Sequence, residues 1–256
     1  MIRKRFMPDC FSADDKLQVM GSAQEGAIGP RVNCLVWNIL KARRNRWMED
    51  FLHLSADRDI VLLQEAVFNA PTDKLFTQHQ RLEWIMARSY KDPLSQVEHG
   101  VKTGSTTKAL QSQVYMSPHH EPVSQTPKLL LTSVYPIAHS AEQLLVLNMH
   151  AINFVGVRKY EGQLDQLTQA LADHNGPVIL GGDFNTWSPA RLARFFKVAE
   201  DAGLREASMT RKKKLVHMNR DLDHLFYRGF KLLSVDSLNE YRSSDHAPIT
   251  ATLELT

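Results

Sequence analysis

The chain has 256 residues, of which 43% are hydrophobic and 23% charged, and its 31 basic and 28 acidic side chains give a net charge of +3. These are ordinary values for a soluble globular protein, which at this length can bury a sizeable core without disulfides or a structural metal. The charge balance selects no class of partner. Two cysteines, Cys10 and Cys34, exclude a four-cysteine zinc site.

Residues 1–30 have mixed charge and no clear periodicity, so we predict an N-terminal arm or lead-in. The N-terminus begins basic, but charged residues such as Asp9 and Asp14 interrupt the apolar run that a signal peptide needs. No apolar stretch approaches the roughly 20 residues that span a bilayer. We expect a soluble, cytoplasmic protein with no membrane partner. The sequence leaves its oligomeric state and a Cys10–Cys34 disulfide open.

From residue 32 onward, apolar patterns of strand length alternate with apolar patterns of helix length. Strands are predicted at 32–37, 60–63, 129–134, 144–149, 178–180, 225–227 and 249–255, and helices at 46–54, from Pro71, at 160–174 and at 189–202. Residues 82–114 show no regular apolar pattern, and we predict short strands and loops there. Because no linker or repeat interrupts the pattern, we predict one α/β domain over residues 31–256, with sheets inside and helices outside.

Polar side chains follow or precede the predicted strands. The candidates are Asn38, Glu65, His150, Asp183, Asn185, Asp223, Asp245 and His246. Strand ends that face a common edge are where α/β proteins place their sites. Carboxylate and amide oxygens suit a hard cation such as Mg²⁺, and a histidine near a carboxylate suits proton transfer or charge stabilisation.

Each candidate alone has a structural interpretation. Asn38 could satisfy a turn, Glu65 could be solvated, His150 could be a hydrogen-bonded structural histidine, and Asp223 or Asp245 could cap a turn. The GGDFN run at 181–185 could be a tight turn. Taken together and in this order, the residues give the structural interpretation little support.

The series WN at 37–38, QE at 64–65, NMH at 148–150, GGDFN at 181–185, LDH at 222–224 and SDH at 244–246 resembles the motifs of the endonuclease/exonuclease/phosphatase superfamily. The resemblance extends from about residue 32 to the C-terminus. It implies a four-layer α/β sandwich, in which two mixed sheets pack face to face with helices outside. The segments around His150, Asp183 and Tyr227 look closest to a bacterial YafD-like branch, whose label does not settle the substrate.

The resemblance also implies roles. Glu65 would be the main Mg²⁺ ligand, with Asn38 close by and Asp245 completing the metal and water network; Mn²⁺ is the alternative ion. Asp183, helped by Asn185, would align or activate the attacking water. His246, oriented by Asp223, would contact the phosphoryl group as base or charge stabiliser. His150 would stabilise the transition state or assist the leaving oxygen. These are the parts that phosphoryl transfer needs.

Three further residues are candidate substrate contacts. Lys128 could reach a phosphate or be a surface lysine, Asn148 belongs to the NMH motif, and Trp187 could line the cleft, stack on a base or pack in the core. The segment 205–231 carries eight basic and three acidic residues, or 8 − 3 = +5. It could bind a nucleic-acid backbone or simply be solvated.

The resulting prediction is a metal-dependent phosphoesterase, either a phosphodiesterase such as a nuclease or a phosphatase, which hydrolyses a P–O bond by in-line attack of an activated water. Its partner would be a phosphate ester, with nucleic acid as one candidate. The alternative is a catalytically silent member that binds nucleic acid or a phosphorylated partner. Loss of Glu65, Asp183 or His246 would have indicated that alternative, and all three are present.

Overall fold

Two mixed β-sheets pack face to face in the computed structural model, which describes residues 7–11, 16–78, 81–208 and 222–256. In these residues the first sheet has eight strands in the order β1-β5-β6-β4-β3-β14-β13, with β2 paired to β5. Its strands are β1 (Asp9–Cys10), β2 (Leu17–Gly21), β3 (Arg31–Asn38), β4 (Ile60–Phe68), β5 (Glu83–Lys91), β6 (Glu98–Ser105), β13 (Phe230–Ser237) and β14 (Ile249–Leu255).

The second sheet has six strands in the order β11-β12-β10-β9-β8-β7. They are β7 (Gln111–Met116), β8 (Leu129–Pro136), β9 (Gln143–His150), β10 (Val178–Asp183), β11 (Arg205–Glu206) and β12 (Asp223–Arg228). Four α-helices occur in the described residues: α1 (Trp47–Ser55), α2 (Ala70–Gln78), α3 (Val157–Ala172) and α4 (Pro189–Asp201). None of them is long and apolar enough to cross a membrane.

The four layers follow from the alternation of apolar side chains along the strands. In β3, Val32, Cys34 and Val36 point into the core between the sheets, whereas Leu35 and Trp37 point outward. The outward side chains pack under α1 and α2, and α3 and α4 cover the outer face of the second sheet in the same way. Since successive side chains of a strand face opposite sides, one strand serves two apolar layers. The predicted four-layer sandwich is confirmed.

Several elements differ from the sequence prediction. Strand β4 continues to Phe68 instead of ending at 63, and regular strands β5 to β7 replace the ragged pattern between 82 and 114. Buried polar residues such as Lys102 and Thr103 hid the alternation there. Strand β13 was not predicted because most of its residues are partly or fully exposed. Within the predicted lead-in, β2 pairs with β5. Both cysteines are free.

A buried hydrogen-bond network joins the two sheets at Asn148 of β9. Its side-chain oxygen accepts from Gln64 Nε2 of β4 at 2.8 Å. Its amide nitrogen donates to the carbonyl oxygen of Lys102 at 2.8 Å and lies 3.3 Å from Leu63 O and from Thr103 Oγ1. Because Asn148 is fully buried and both ends of its amide are engaged, it fixes the sheets relative to each other. Asn148 does not line the cleft, and its predicted contact with substrate stays a prediction.

Lys102 of β6 is fully buried on the outer side of the first sheet. Its Nζ donates to Val67 O at 2.9 Å and lies 3.8 Å from the centre of the Phe76 ring of α2. Burial lowers the pKa of Lys102 to about 7, although the charge of Asp73 opposes that shift. A charged amine is costly in an apolar setting, and a ring face and one carbonyl offset only part of that cost.

The stability of the protein should therefore depend on the protonation of Lys102. Its folded-state pKa lies below the ordinary lysine value, so the unfolded chain binds more protons between about pH 7 and 10. The free energy of unfolding should rise over that interval by a few kcal/mol from this group, and Lys102→Met should flatten the rise. Urea unfolding at several pH values measures this, with Lys74→Met on the exposed side of α2 as the control. Parallel curves for wild type and Lys102→Met would contradict the assignment.

Candidate active site

Strand ends from both sheets open into one cleft of about 340 Å³. Of the predicted residues, the ones that line this cleft are Glu65, Lys128, His150, Asp183, Asn185, Asp223, Asp245 and His246. Glu65 comes from β4 of the first sheet, whereas Asp183 and Asp223 come from β10 and β12 of the second. Face-to-face packing thus brings residues far apart in sequence to a single wall, as the motif order predicted.

His246 and Asp223 form a hydrogen-bonded pair, with His246 Nδ1 2.7 Å from Asp223 Oδ2. The backbone carbonyl of His246 accepts from Trp37 Nε1 at 3.0 Å, which anchors its loop to β3. Burial opposes the charged imidazole, but the charges of Asp223, Asp183 and Asp245 outweigh it and raise the pKa of His246 to about 10. The ring can therefore present a proton at Nε2.

Asp183 is the buried centre of the cleft floor. Its Oδ2 accepts from Asn38 Nδ2 at 3.0 Å and lies 3.5 Å from His150 Nε2, and its Oδ1 accepts from the backbone N–H of Asn185 at 3.0 Å. Burial raises the pKa of the Asp183 carboxyl, against the lowering effect of the His246 charge. This carboxylate is fixed by three neighbours and can orient a water or a metal-bound group.

The His150 ring is also buried beside Asp183. Burial, reinforced by the positive charges of Lys128, His246 and Lys41, lowers the pKa of His150 well below its usual range. The two histidines of the cleft therefore differ in charge near neutral pH, His150 being neutral and His246 protonated. A neutral ring can donate one hydrogen bond without adding charge to the site.

Glu65 has the features of a metal ligand. Its backbone lies in the left-handed region at φ 50°, where the pairing of β4 with β6 shifts register between Leu63 and Ala66. The Glu65 carboxylate makes no hydrogen bond or ion pair with a described residue, although it is partly buried in the cleft wall. Strained backbone of this kind clusters at functional sites. Together with the exposed Asp245, this free carboxylate fits a divalent cation.

A second acidic group on the same wall comprises Asp183, Asp223 and His246, whose ligand atoms lie within 4.8 Å of one another. His246 already uses Nδ1 for Asp223, so this group is better suited to proton handling than to holding a metal. Asn38, predicted as a metal ligand, lies beneath the wall. Its side-chain oxygen accepts from Leu40 N at 3.1 Å while its nitrogen holds Asp183.

The predicted substrate-binding residues Lys128 and Trp187 differ in their position relative to the cleft. Lys128 lines the cleft, and its Nζ lies 3.4 Å from Glu121 Oε1. Trp187 stands behind the wall, where its indole nitrogen donates to Asn153 Oδ1 at 2.9 Å and its ring packs on the Arg191 guanidinium. Most of the basic cluster in 205–231, from Arg211 to Arg220, lies outside the described residues.

The sequence analysis missed Arg191, which holds the cleft loops from behind. Its fully buried guanidinium donates to the carbonyl oxygens of Asn185, Ile152 and Val155 at 2.9–3.0 Å. Ser188 and Pro189 open α4 and place Arg191 one turn inside it. The sequence offers no distinctive signal for this role, because an arginine on a helix is ordinarily exposed.

The sequence profile of the Endonuclease/Exonuclease/phosphatase family matches residues 35–246. The chain belongs to this family. The profile ends at His246, so it covers every element that contributes to the cleft.

Relatives and solved structures agree with this membership. A UPF0294 protein of Yersinia pseudotuberculosis is 37% identical over 219 residues, which are 84% of this chain and 80% of that protein. An endonuclease/exonuclease/phosphatase structure from Beutenbergia cavernae has a TM-score of 0.68 at 18% identity, over 88% of this chain and 72% of its own. D. rerio TDP2, complexed with a single-strand DNA product, has a TM-score of 0.62 at 16% identity, over 88% and 99%.

Removing the Arg191 guanidinium should loosen the cleft. Arg191→Met leaves three buried carbonyl oxygens without a donor, and we expect it to lower the free energy of unfolding by about 2–4 kcal/mol. Arg194→Met is the matched control on the same helix, because its ion pair with Glu161 is largely exposed and should contribute about 1 kcal/mol or less. Urea unfolding of both variants compares the two. Equal losses of unfolding free energy in the two variants would contradict the assignment of Arg191 as the residue that holds the cleft loops.

Proposed function

We propose that this protein is a metal-dependent phosphoesterase that hydrolyses a P–O bond by in-line attack of an activated water. One observation supports the proposal above all: two different groups line the same cleft. The first is the hydrogen-bonded His246–Asp223 pair, and the second is the free carboxylate of Glu65 on strained backbone. An arrangement that serves only stability does not need both.

The chain's own residues supply orientation and charge. Asp183, held by Asn38 and by the backbone of Asn185, positions the attacking water. His246 contacts a phosphoryl oxygen through Nε2, while Asp223 keeps the ring oriented through Nδ1. His150 lines the same cleft and stabilises the negative charge that develops on the leaving oxygen. Donors fixed in advance need little reorganisation during the reaction, which lowers the barrier.

Glu65 and Asp245, which line the same cleft, would hold a divalent metal. Mg²⁺ is the proposed ion, because carboxylate oxygens are its preferred protein ligands; Mn²⁺ is the alternative. Such an ion would neutralise charge on the phosphate oxygens and lower the pKa of the attacking water. The protein contributes a cleft whose wall includes both carboxylates.

The substrate is a phosphate ester, and a nucleic acid is one candidate within that class. The likeness to TDP2 with its DNA product supports a phosphodiester as a first substrate to test. The alternative function is binding of nucleic acid or a phosphorylated partner without turnover. The complete set of Glu65, Asp183 and His246 favours the enzyme over this alternative.

Hydrolysis assays with Mg²⁺ or Mn²⁺ and with chelator test the proposal. The substrates are bis-p-nitrophenyl phosphate, p-nitrophenyl phosphate, plasmid DNA, single-stranded DNA, RNA and inositol phosphates. We expect turnover that needs metal, and the substrates cleaved would separate a diesterase from a phosphatase. Absence of both metal binding and turnover would contradict the enzyme and favour the silent binding function.

Glu65→Ala, Asp183→Ala and His246→Ala should each lower kcat by at least about 10²–10⁴-fold while the protein stays folded. The three changes remove the groups assigned to the metal, the attacking water and the phosphoryl oxygen, respectively. Circular dichroism provides the folding control, and Glu49→Ala on exposed α1 provides a surface carboxylate for comparison. Near-wild-type turnover by any of the three variants would overturn the role assigned to that residue.

A further inference from the structure

A second cavity of about 140 Å³ adjoins the cleft. We call it the side pocket; its walls include Lys41, Tyr90, His99, Ser124 and Thr126. It shares Glu65, Glu121, Lys128 and His150 with the cleft, so a molecule bound at the cleft can extend into it. The cavity is smaller than the roughly 300–1,000 Å³ of ordinary ligand sites. It therefore fits one substituent of a substrate and not a separate ligand.

Lys41 enters the side pocket from an unusual turn. Leu40, Lys41 and Ala42 have φ values of 47°, 58° and 55°, so three consecutive non-glycine residues lie in the left-handed region. Such backbone is energetically costly, and it persists only where the surrounding structure imposes it. Lys41 is partly buried, and its amine makes no hydrogen bond or ion pair with a described residue. The turn thus holds an amine within electrostatic range of Glu65 and Glu121 but in an ion pair with neither.

His99 is the second unsatisfied group of the side pocket. It is 7% exposed, and its Nδ1 is buried without a hydrogen-bond partner. The ring stacks on Tyr90, with centroids 4.7 Å apart and planes 16° from parallel, so its orientation is fixed. Burial and the charge of Lys41 lower the pKa of His99 to about 4, and the neutral ring can donate from only one nitrogen. A buried nitrogen without a partner needs an explanation, and a bound group in the side pocket is one.

The walls of the side pocket carry two lysines and two glutamates. Lys128 is paired with Glu121 at 3.4 Å, and the metal would neutralise Glu65, so Lys41 supplies the remaining positive charge. The hydroxyls of Ser124 and Thr126 are already engaged, because Ser124 donates to Glu121 Oε2 at 2.9 Å and lies 2.8 Å from Thr126 Oγ1. We propose that the side pocket binds a second phosphate group of the same substrate, through Lys41 and His99. This inference rests on the proposed phosphoesterase function, because it places the scissile phosphate in the cleft.

Calorimetric binding of thymidine 5′-monophosphate and thymidine 3′,5′-bisphosphate tests this proposal without relying on turnover. The protein is the Asp223→Asn variant with Mg²⁺, which prevents hydrolysis from contributing heat. We expect the bisphosphate to bind at least about tenfold more tightly than the monophosphate, since a charged hydrogen bond to phosphate is a strong one. A short oligothymidylate forms a third arm, because a backbone diester could be the natural source of the second phosphate.

Lys41→Met and His99→Phe should each reduce the preference for the second phosphate to less than about threefold and leave monophosphate binding unchanged. His99→Phe keeps a ring against Tyr90 while removing both nitrogens, so it separates the donor from the packing. Lys41→Arg should retain the preference. Lys108→Met is the control, because Lys108 is exposed and lies outside both cavities.

The outcomes separate the two proposals. Equal affinity for the two nucleotides, with turnover of diesters intact, would overturn the side-pocket proposal and leave the phosphoesterase standing. A preference that survives Lys41→Met and His99→Phe would overturn it as well. Absence of binding by either nucleotide, together with absence of turnover, would overturn both. Tighter binding of both the bisphosphate and the oligothymidylate than of the monophosphate would support the proposal and identify a polynucleotide backbone as a source of the second phosphate.

Discussion

The face-to-face packing of the two sheets is the constraint on which the rest of the structure depends. Glu65 and Asn38 belong to one sheet and Asp183 and Asp223 to the other, so no site exists unless the sheets hold their relative position. Apolar packing supplies most of the attraction but is non-directional. The buried hydrogen bonds of Asn148 to β4 and β6 add direction, because amide bonds have a narrow range of good geometry.

Close approach of the sheets also explains the glycine-rich motif ahead of Asp183. A Cβ at Gly181 would lie 2.7 Å from a methyl of Val36 and 2.8 Å from one of Leu62, both in the first sheet. Side-chain contacts that short are essentially never made, so the sheets approach because residue 181 has no side chain. The GGDFN motif thus combines a glycine that close packing requires with Asp183, for which we propose a catalytic role.

The strand pattern predicted an α/β domain, and the resemblance of the motif series to the family implied the four-layer sandwich and the roles of the site residues. Asp183, Asp223 and His246 could be listed as candidates because each one adjoins an apolar strand of readable length. Asn148 belongs to the same motif as His150, and strand geometry places alternate residues on one face. Asn148 lies two residues before His150 on the strand, where its amide already bonds to the first sheet.

Arg191, Lys41 and His99 lay beyond the reach of the sequence. A buried guanidinium depends on which carbonyls a helix meets, and that is decided by tertiary packing. The left-handed turn that carries Lys41 contains no glycine, so its backbone gives no composition signal. These residues support or extend the cleft through contacts between elements distant in sequence. Local sequence patterns therefore predict the position of the candidate site better than they predict the residues that support it or the substrate that it binds.

Carboxylates from the two sheets act as one catalytic unit in the proposed mechanism. The most direct test is Mg²⁺-dependent turnover of bis-p-nitrophenyl phosphate by wild type, Glu65→Gln, Asp183→Asn and the double variant. Residues that act as a unit are strongly non-additive. We therefore expect each single change to remove nearly all turnover and the double change to cost no more than the worse single one. Losses that multiply, or a single variant with near-wild-type turnover, would contradict the proposed unit.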